Sequence, residues 1–441
     1  RQPFVAPAEL IERIGAVVVR IGVVRRERDR PIEARERRRV LLERGHYGQF
    51  RYGRTYQSTS PRAEGLGEAL AIIYGMADDA QRVVLAKRVP VVPFGVPSFW
   101  PYIADQPPYH NAAIWPQVVG FWTWAAAEAG NGAAVEHGLG SIYRAAALFL
   151  TNKENMVAST GHFEGTELNS DRLIGSVGAT LATVYRVLFG MRFEYDRLTF
   201  RPFIPRAYTG ERTLRDFRYR GSTLTITVRG FGSAVASATL DGRPLPKPEI
   251  PAGLTGAHTV ELTMNDDIPR SSITIVENRA APATPQTALR TGRLVWRAVP
   301  SAVSYAVYRN GVRHTVTPIT QARVEQEDGL AEYQVMAVDG RGLESFLSEP
   351  VRVVPPEAVI VVQPSGVASD TTHAGADDDG YVELTTETNT EVRFTVEVPL
   401  AGTYVIDARY ANGSGPINTG DKAAIRSLLV DGSRVGALVM P

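Results

Sequence analysis

The chain has 441 residues, an average globular composition and a formal net charge of +1. Length alone suggests roughly two to four domains, and near-neutrality predicts no obligate acidic partner. There is no run of 18 or more apolar residues, which argues against a membrane-spanning helix, and no cysteine, which removes disulfides and thiolate metal sites. The chain opens without an initiator Met and with no signal-peptide pattern, so its start says nothing about export.

Residues 8–24 carry Leu10, Ile14, Val17 and Val18 at helical spacing and are expected to form an amphipathic helix. The next stretch, VVRRERDRPIEARERRRVLLER, alternates Arg and Glu around Pro31. Its interleaved acids make it a solvated surface, and no nucleic-acid partner is expected. Residues 45–74 form a loop rich in Tyr, Gln, Ser and Arg that feeds a helix from about Ala63, with Ser60 or Pro61 as its start. Tyr56 offers a stacking face there, and Gln57 and Arg62 offer donors, a set suited to sugar hydroxyls. The same residues also fit a capped surface turn. Residues 89–108 are too dense in proline for a helix and should run extended, with Phe99, Trp100 and Tyr102 seeking an apolar or saccharide surface.

Three helices then follow, over 111–129, 133–150 and 172–189, their apolar stripes carried by Ile114, Val118 and Trp122, by Val135, Leu139 and Ile142, and by Leu173, Val177 and Leu181. Short links between them predict antiparallel hairpins, with Asn131-Gly132 and Gly190 as terminators. Asp171 is the expected cap of the third helix. Near Phe193 the period changes from helical to alternating, and Asp241-Gly242 marks a hairpin.

The segments YHNAAIWPQ, ENMVASTG and SDRLIGSVGATLATVYRVLFGMRF resemble the last third of a six-hairpin (α/α)6-barrel glycosidase of the glycogen-debranching-like kind, related to glycoside hydrolase family sixty-three. In that family a Glu stands six residues before the Thr of a Thr-Gly pair, as Glu154 does before Thr160-Gly161. The resemblance spans 45–264 and implies that Glu154 is the general base of an inverting glycosidase, with an α-glucoside as the first substrate to consider. It makes Trp115-Pro116 the sugar-lining element, with Tyr109, His110 and Asn111 before it. It also implies that the general acid is an Asp encoded before Arg1, so that the chain is a fragment. Glu164, Glu167 and Asp171 are the local carboxylates, the first two reading as loop residues. His110 also fits a structural histidine, and His162 a surface one.

The resulting expectation is a multidomain chain, α then β. Residues 1–192 would form part of an (α/α)6 toroid and 193–278 a β-sandwich closing it. RLVWRAVPSAVSYAVYRNG and the strands after it resemble a fibronectin type III domain at 286–355, with Trp296, Tyr305 and Tyr333 buried. RYANGSG resembles carbohydrate-binding modules of the family-six and family-thirty-five type, placing a partial one at 356–441. The acidic run Asp377 to Asp379 offers calcium ligands but lacks a defined ligand spacing and reads as solvated loop, so no cofactor is expected. Module architecture implies an extracellular or periplasmic protein with an oligo- or polysaccharide as partner. A non-catalytic saccharide-binding or adhesion protein is the rival reading.

Overall fold

The structure is a computed structural model that describes residues 14–24, 44–53, 55–325, 330–356, 359–362, 382, 384, 387, 389–398, 403–412 and 424–440. Among the described residues strands hold 39% and five helices 20%. A toroid of paired helices needs many more, so the (α/α)6 expectation is corrected: among the described residues the chain is β-rich, with a small helical group at its centre.

That group is built by ordinary local signals. Helix α1 (Gly65–Ile73) is capped by Glu64, whose carboxylate accepts from the amides of Leu66 and Gly67, rather than by Ser60 or Pro61. Helix α2 (Asp79–Arg88) carries a full capping box between Asp78 and Gln81. Helix α3 (Pro116–Glu128) starts on proline, whose missing N–H would find no partner there. Helix α4 (Gly132–Phe149) is capped by Asn131, whose side chain also donates to the carbonyls of Ala86 and Ser272 at 3.0 Å each. Helix α5 (Ile174–Ala182) runs into a π-helical turn over Thr183–Leu188. Its cap position is Leu173, without a side-chain bond, so Asp171 is not the expected cap.

Helices α1, α4 and α5 pack on α3 around Trp122, Val119, Ile142 and Ala179. Small residues set these distances. A Cβ on Gly138 of α4 would lie 2.1 Å from Thr123 Oγ1, and one on Gly120 would lie 2.7 Å from Ala179 Cβ. A second buried cluster joins Val135 and Leu139 of α4 to Met191, Leu198, Phe200, Ile226 and Leu262, so the core runs from helices into strands without a break.

Those strands include a five-stranded sheet in the order 211–219, 222–229, 256–264, 235–240, 243–244, in which 222–229 and 256–264 run parallel. Asp241 and Gly242, both at positive φ, turn the expected hairpin between Leu240 and Arg243. Farther on, a three-stranded and a four-stranded sheet share one core containing Trp296, Tyr305 and Tyr333.

Residues 14–24 are not helical. Ile14–Val24 is a strand, antiparallel to Val359–Val362 on one side and Thr403–Asn412 on the other. Its run IGAVVVRIGVV is dense in β-branched residues, and pairing on both edges outweighs the helical spacing. Apart from Val23, Val24 and Arg44, the Arg/Glu-rich run lies outside the described residues, as do Asp377 to Asp379 and residues 413–415 of RYANGSG. No helix among the described residues is long and apolar enough to cross a membrane.

Candidate functional site

Two segments that flank the α3–α4 pair meet through a two-residue ladder. Ala113 pairs with Val157 and Ile114 with Met156, and the Ala158 amide donates to the Ala112 carbonyl at 2.9 Å. This puts residues 109–115, which lead into α3, against residues 154–158, which follow α4. The Tyr109 hydroxyl thereby reaches Glu154, donating to Oε1 at 2.8 Å.

Glu154 is 7% exposed and held on both oxygens, because the Ser170 amide donates to Oε2 at 2.9 Å. Its own amide donates to the Ser170 carbonyl at 2.9 Å and approaches Asn169 Oδ1 at 3.3 Å. Asn169 is tied in turn to the Asn155 carbonyl at 2.7 Å and to Thr166 Oγ1 at 3.0 Å. The carboxylate is thus fixed by the loop that precedes α5. Its hydrogen bond to Tyr109, followed by burial and the negative charges of Glu154 and Glu167, pushes the phenol above its ordinary range.

Around this bond lies an aromatic cluster. His110 is exposed and stacks on Trp115 at 4.9 Å with 17° between planes, while Tyr109 meets Trp115 edge-on at 5.2 Å. The Trp115 indole N–H donates to the Tyr109 carbonyl at 2.7 Å, which fixes the ring against the backbone that carries the phenol. One side of Trp115 is therefore covered by His110, whose outer side faces solvent.

Of the residues expected to bind sugar, Tyr109, His110 and Trp115 are brought to Glu154. Asn111 sits beside them in sequence but is buried and braces a loop: its Oδ1 accepts from the Ile103 amide at 2.7 Å, and its Nδ2 donates to the carbonyls of Ile103 and Gln106. Trp100 donates its indole N–H to the Glu277 carbonyl at 3.0 Å. Tyr56, Gln57 and Arg62 lie in a seam with the four-stranded sheet. The Tyr56 amide donates to Glu332 Oε2 at 3.1 Å, and the Gly311 backbone closes on Gln57, where an added Cβ would meet the Gln57 carbonyl oxygen at 2.8 Å. Arg62 is 1% exposed, donates from Nε to the Pro101 carbonyl at 3.0 Å and stacks its guanidinium over Phe346 at 3.5 Å. Burial lowers its pKa to about 10.

The other local carboxylates divide by partner. Asp171 is exposed and pairs with Lys153, and Glu164 is exposed beside His162 at 3.9 Å. Glu167 donates its amide to the Pro108 carbonyl at 2.8 Å, next to Tyr109. Sequence reasoning passes over Ser170, whose backbone amide does the holding, and over Asn169. The ELNS run before a helix is the signal that could have marked them. On the same loop an open groove of about 420 Å³ is lined by Leu148, Phe149, Lys153, His162, Phe163 and Glu164. Lys153 lies over the Phe163 ring at 3.6 Å, and His162 stacks on that ring at 4.7 Å. Among the described residues no group of His, Cys, Asp and Glu is arranged to hold a metal ion. No protein-family model matches the chain, and no curated protein matches it either.

Proposed function

We propose that the chain acts on an oligo- or polysaccharide outside the cytoplasm and hydrolyses a glycosidic bond, with Glu154 as the base that activates water. The observation that carries this reading is the Tyr109 hydroxyl held 2.8 Å from Glu154 Oε1 beside the His110–Trp115 stack. Each carboxylate oxygen accepts one hydrogen bond from the protein and keeps a second acceptor position, so a water can be bound and oriented there. The exposed ring of His110, with Trp115 stacked beneath it and Tyr109 beside it, offers apolar surface to the C–H face of a pyranose. Attack of that water on the anomeric carbon transfers one of its protons to Glu154 as the C–O bond opens; the leaving oxygen keeps the electron pair and takes a proton from a separate acid or from solvent.

Glu154→Gln keeps the size and one acceptor but removes the base. Reducing-sugar release from a glycan panel should fall by about 10²–10⁴-fold, the usual contribution of a positioned general base. Full activity in this variant refutes the role. The second reading, a non-catalytic saccharide binder, draws on the low exposure of Glu154 and on the two protein donors that already hold it. Calorimetry with the same glycans separates the two: heat of binding without sugar release supports the binder.

A further inference from the structure

The four-stranded sheet carries an open groove of about 220 Å³, lined by Arg309, Asn310, Val312, Arg313 and His314, that the chemistry at Glu154 leaves unused. Its walls belong to the hairpin of Ala302–Arg309 and Val312–Thr317, turned by Asn310 and Gly311 at positive φ. Val307 pairs with Thr315 and Tyr308 with Arg313, so the second strand holds one extra residue, His314. In an unbroken strand Arg313 and His314 would face opposite sides of the sheet, whereas the bulge brings both to the groove. The turn beneath them is pinned from two directions. The Asn310 amide donates to the Glu332 carbonyl at 2.8 Å, and its Oδ1 accepts from the Glu332 amide at 2.9 Å. From the other side Ser58 Oγ donates to the Gly311 carbonyl at 2.8 Å. The bond to Oδ1 orients the Asn310 side chain and leaves its Nδ2 without an acceptor among the described residues. Arg313 is exposed, and its guanidinium has no hydrogen bond or ion pair among them either. Glu325 is the acid that reaches this wall, 3.5 Å from Arg309 and 3.8 Å from His314. One carboxylate against two arginines leaves the groove positive even with His314 neutral.

We propose that this groove binds the carboxylate of an acidic glycan, a binding site on the four-stranded sheet in addition to the one at Glu154. The anion follows from the groove; the glycan as its carrier rests on the reading of the chain as a saccharide-active protein. The Arg313 guanidinium presents a planar fork of N–H donors that matches the two oxygens of a carboxylate, and Asn310 Nδ2 and the His314 ring add donors from the same hairpin. Arg309, engaged with Glu325, contributes its field. Because the turn is fixed before a ligand arrives, little ordering is left to be done on binding. An uncharged sugar leaves the Arg313 charge unmatched, so the groove selects by charge first. Its open walls admit a sugar residue within a chain, whose neighbours continue along the surface.

The test is calorimetry on the full chain with trigalacturonate, its uncharged methyl ester, acetate and triglutamate, repeated in Arg313→Gln and Arg215→Gln. Arg215 is exposed on the strand Glu211–Tyr219, and its replacement removes the same charge far from the hairpin in sequence. Trigalacturonate should bind and its ester should not. Arg313→Gln should weaken trigalacturonate about five- to tenfold, between the worth of an exposed ion pair and that of a hydrogen bond to a charged group, and Arg215→Gln should leave it unchanged. Absence of trigalacturonate binding, equal binding of the ester or equal loss in the two variants overturns the site. Acetate binding as tightly as trigalacturonate marks an adventitious ion only, and triglutamate binding as tightly marks a peptide; either overturns the glycan. Reducing-sugar release separates this proposal from the role of Glu154. Glu154→Gln should leave trigalacturonate binding unchanged, and its loss there overturns the groove by placing the ligand at Glu154. Arg313→Gln should leave turnover of neutral glycans unchanged, and a chain that turns over none can still bind trigalacturonate through Arg313, so each proposal fails by itself.

Discussion

Arg352→Met tests whether the loop around Tyr56 is a structural clamp. Glu332 is 1% exposed, and its carboxylate accepts from Arg352 Nε at 3.0 Å, from the Thr55 amide at 3.2 and 3.3 Å and from the Tyr56 amide at 3.1 Å. Methionine keeps much of the side-chain bulk while leaving a buried negative charge with neutral donors. Breaking a buried pair from one side costs about 3–5 kcal/mol. The Arg352 side chain keeps 21% exposure, so water replaces part of what it supplied, and about 2–3 kcal/mol is the fitting expectation. Glu332→Met combined with Arg352→Met removes the stranded charge and should recover part of that loss, although two amides then lack their acceptor. Urea unfolding followed by tryptophan fluorescence, to which Trp296 packed against Tyr305 contributes, reads the stability of the core shared by the three- and four-stranded sheets. Amide exchange at Thr55 and Tyr56 reads the seam, and both amides should exchange faster in each variant. Unfolding of Arg352→Met indistinguishable from the unaltered chain, with exchange at Thr55 and Tyr56 unchanged, refutes the clamp.

Two further substitutions probe the helical group. Gly138→Ala places a methyl 2.1 Å from Thr123 Oγ1, a buried hydroxyl that donates to the Val119 carbonyl at 2.7 Å. Overpacking of about 1–3 kcal/mol should exceed the gain of about 1 kcal/mol from replacing a helical glycine, so the urea midpoint falls; a raised midpoint refutes the close approach of α3 and α4. Glu68 is 3% exposed on α1, and burial pushes its carboxyl up to about 9 from 4.5. The folded chain therefore holds a proton that the unfolded chain releases. Stability is full below about 4.5 and is lost as pH rises towards 9, by at most about 1.4 kcal/mol per pH unit. Glu68→Gln should flatten this slope in urea midpoints taken across the window, and an unchanged slope refutes the buried proton.

The helical elements show what local sequence can carry. The Asp241-Gly242 turn is decided within a few residues and was read as such, whereas the helix expected from residue 111 starts at Pro116, and Asn131, expected as a terminator, caps the start of α4. Helix α2 was not expected, because its apolar stripe is weak, although the Asp78–Gln81 capping box marks its start. The strand at 14–24 was not legible, because its partners lie at 359–362 and 403–412, and a pairing over that separation leaves no trace in the spacing of Ile14, Val17 and Val18. The toroid failed for a related reason. Hairpin-like contacts of α3 with α4 and α5 are a local property, whereas the number of such hairpins belongs to the whole chain.

At the candidate site the same division separates residues by whether their polar atoms are already engaged. Tyr56, Gln57, Arg62 and Asn111 have side chains that suit sugar hydroxyls, and composition cannot tell a free donor from an occupied one. Arg62 and Asn111 are occupied by backbone carbonyls, and the partners of the Tyr56–Gln57 stretch lie on strands more than two hundred residues away. Glu154 was singled out by the spacing to Thr160-Gly161 that the resemblance supplies, whereas its bond to Tyr109, forty-five residues earlier, comes from the ladder at Ala113–Ile114 and is invisible in that spacing. Ser170 was passed over, since it acts through its backbone amide and only the ELNS run before a helix hints at it. The ring of His110 is exposed, and so is Glu167, whose amide is fastened to the Pro108 carbonyl beside Tyr109. On the proposed reading, the ring of His110 is the group between residues 109–115 and 154–170 whose substitution should alter sugar binding before it alters folding, because Tyr109, Trp115, Glu154 and Asn169 also brace the loops.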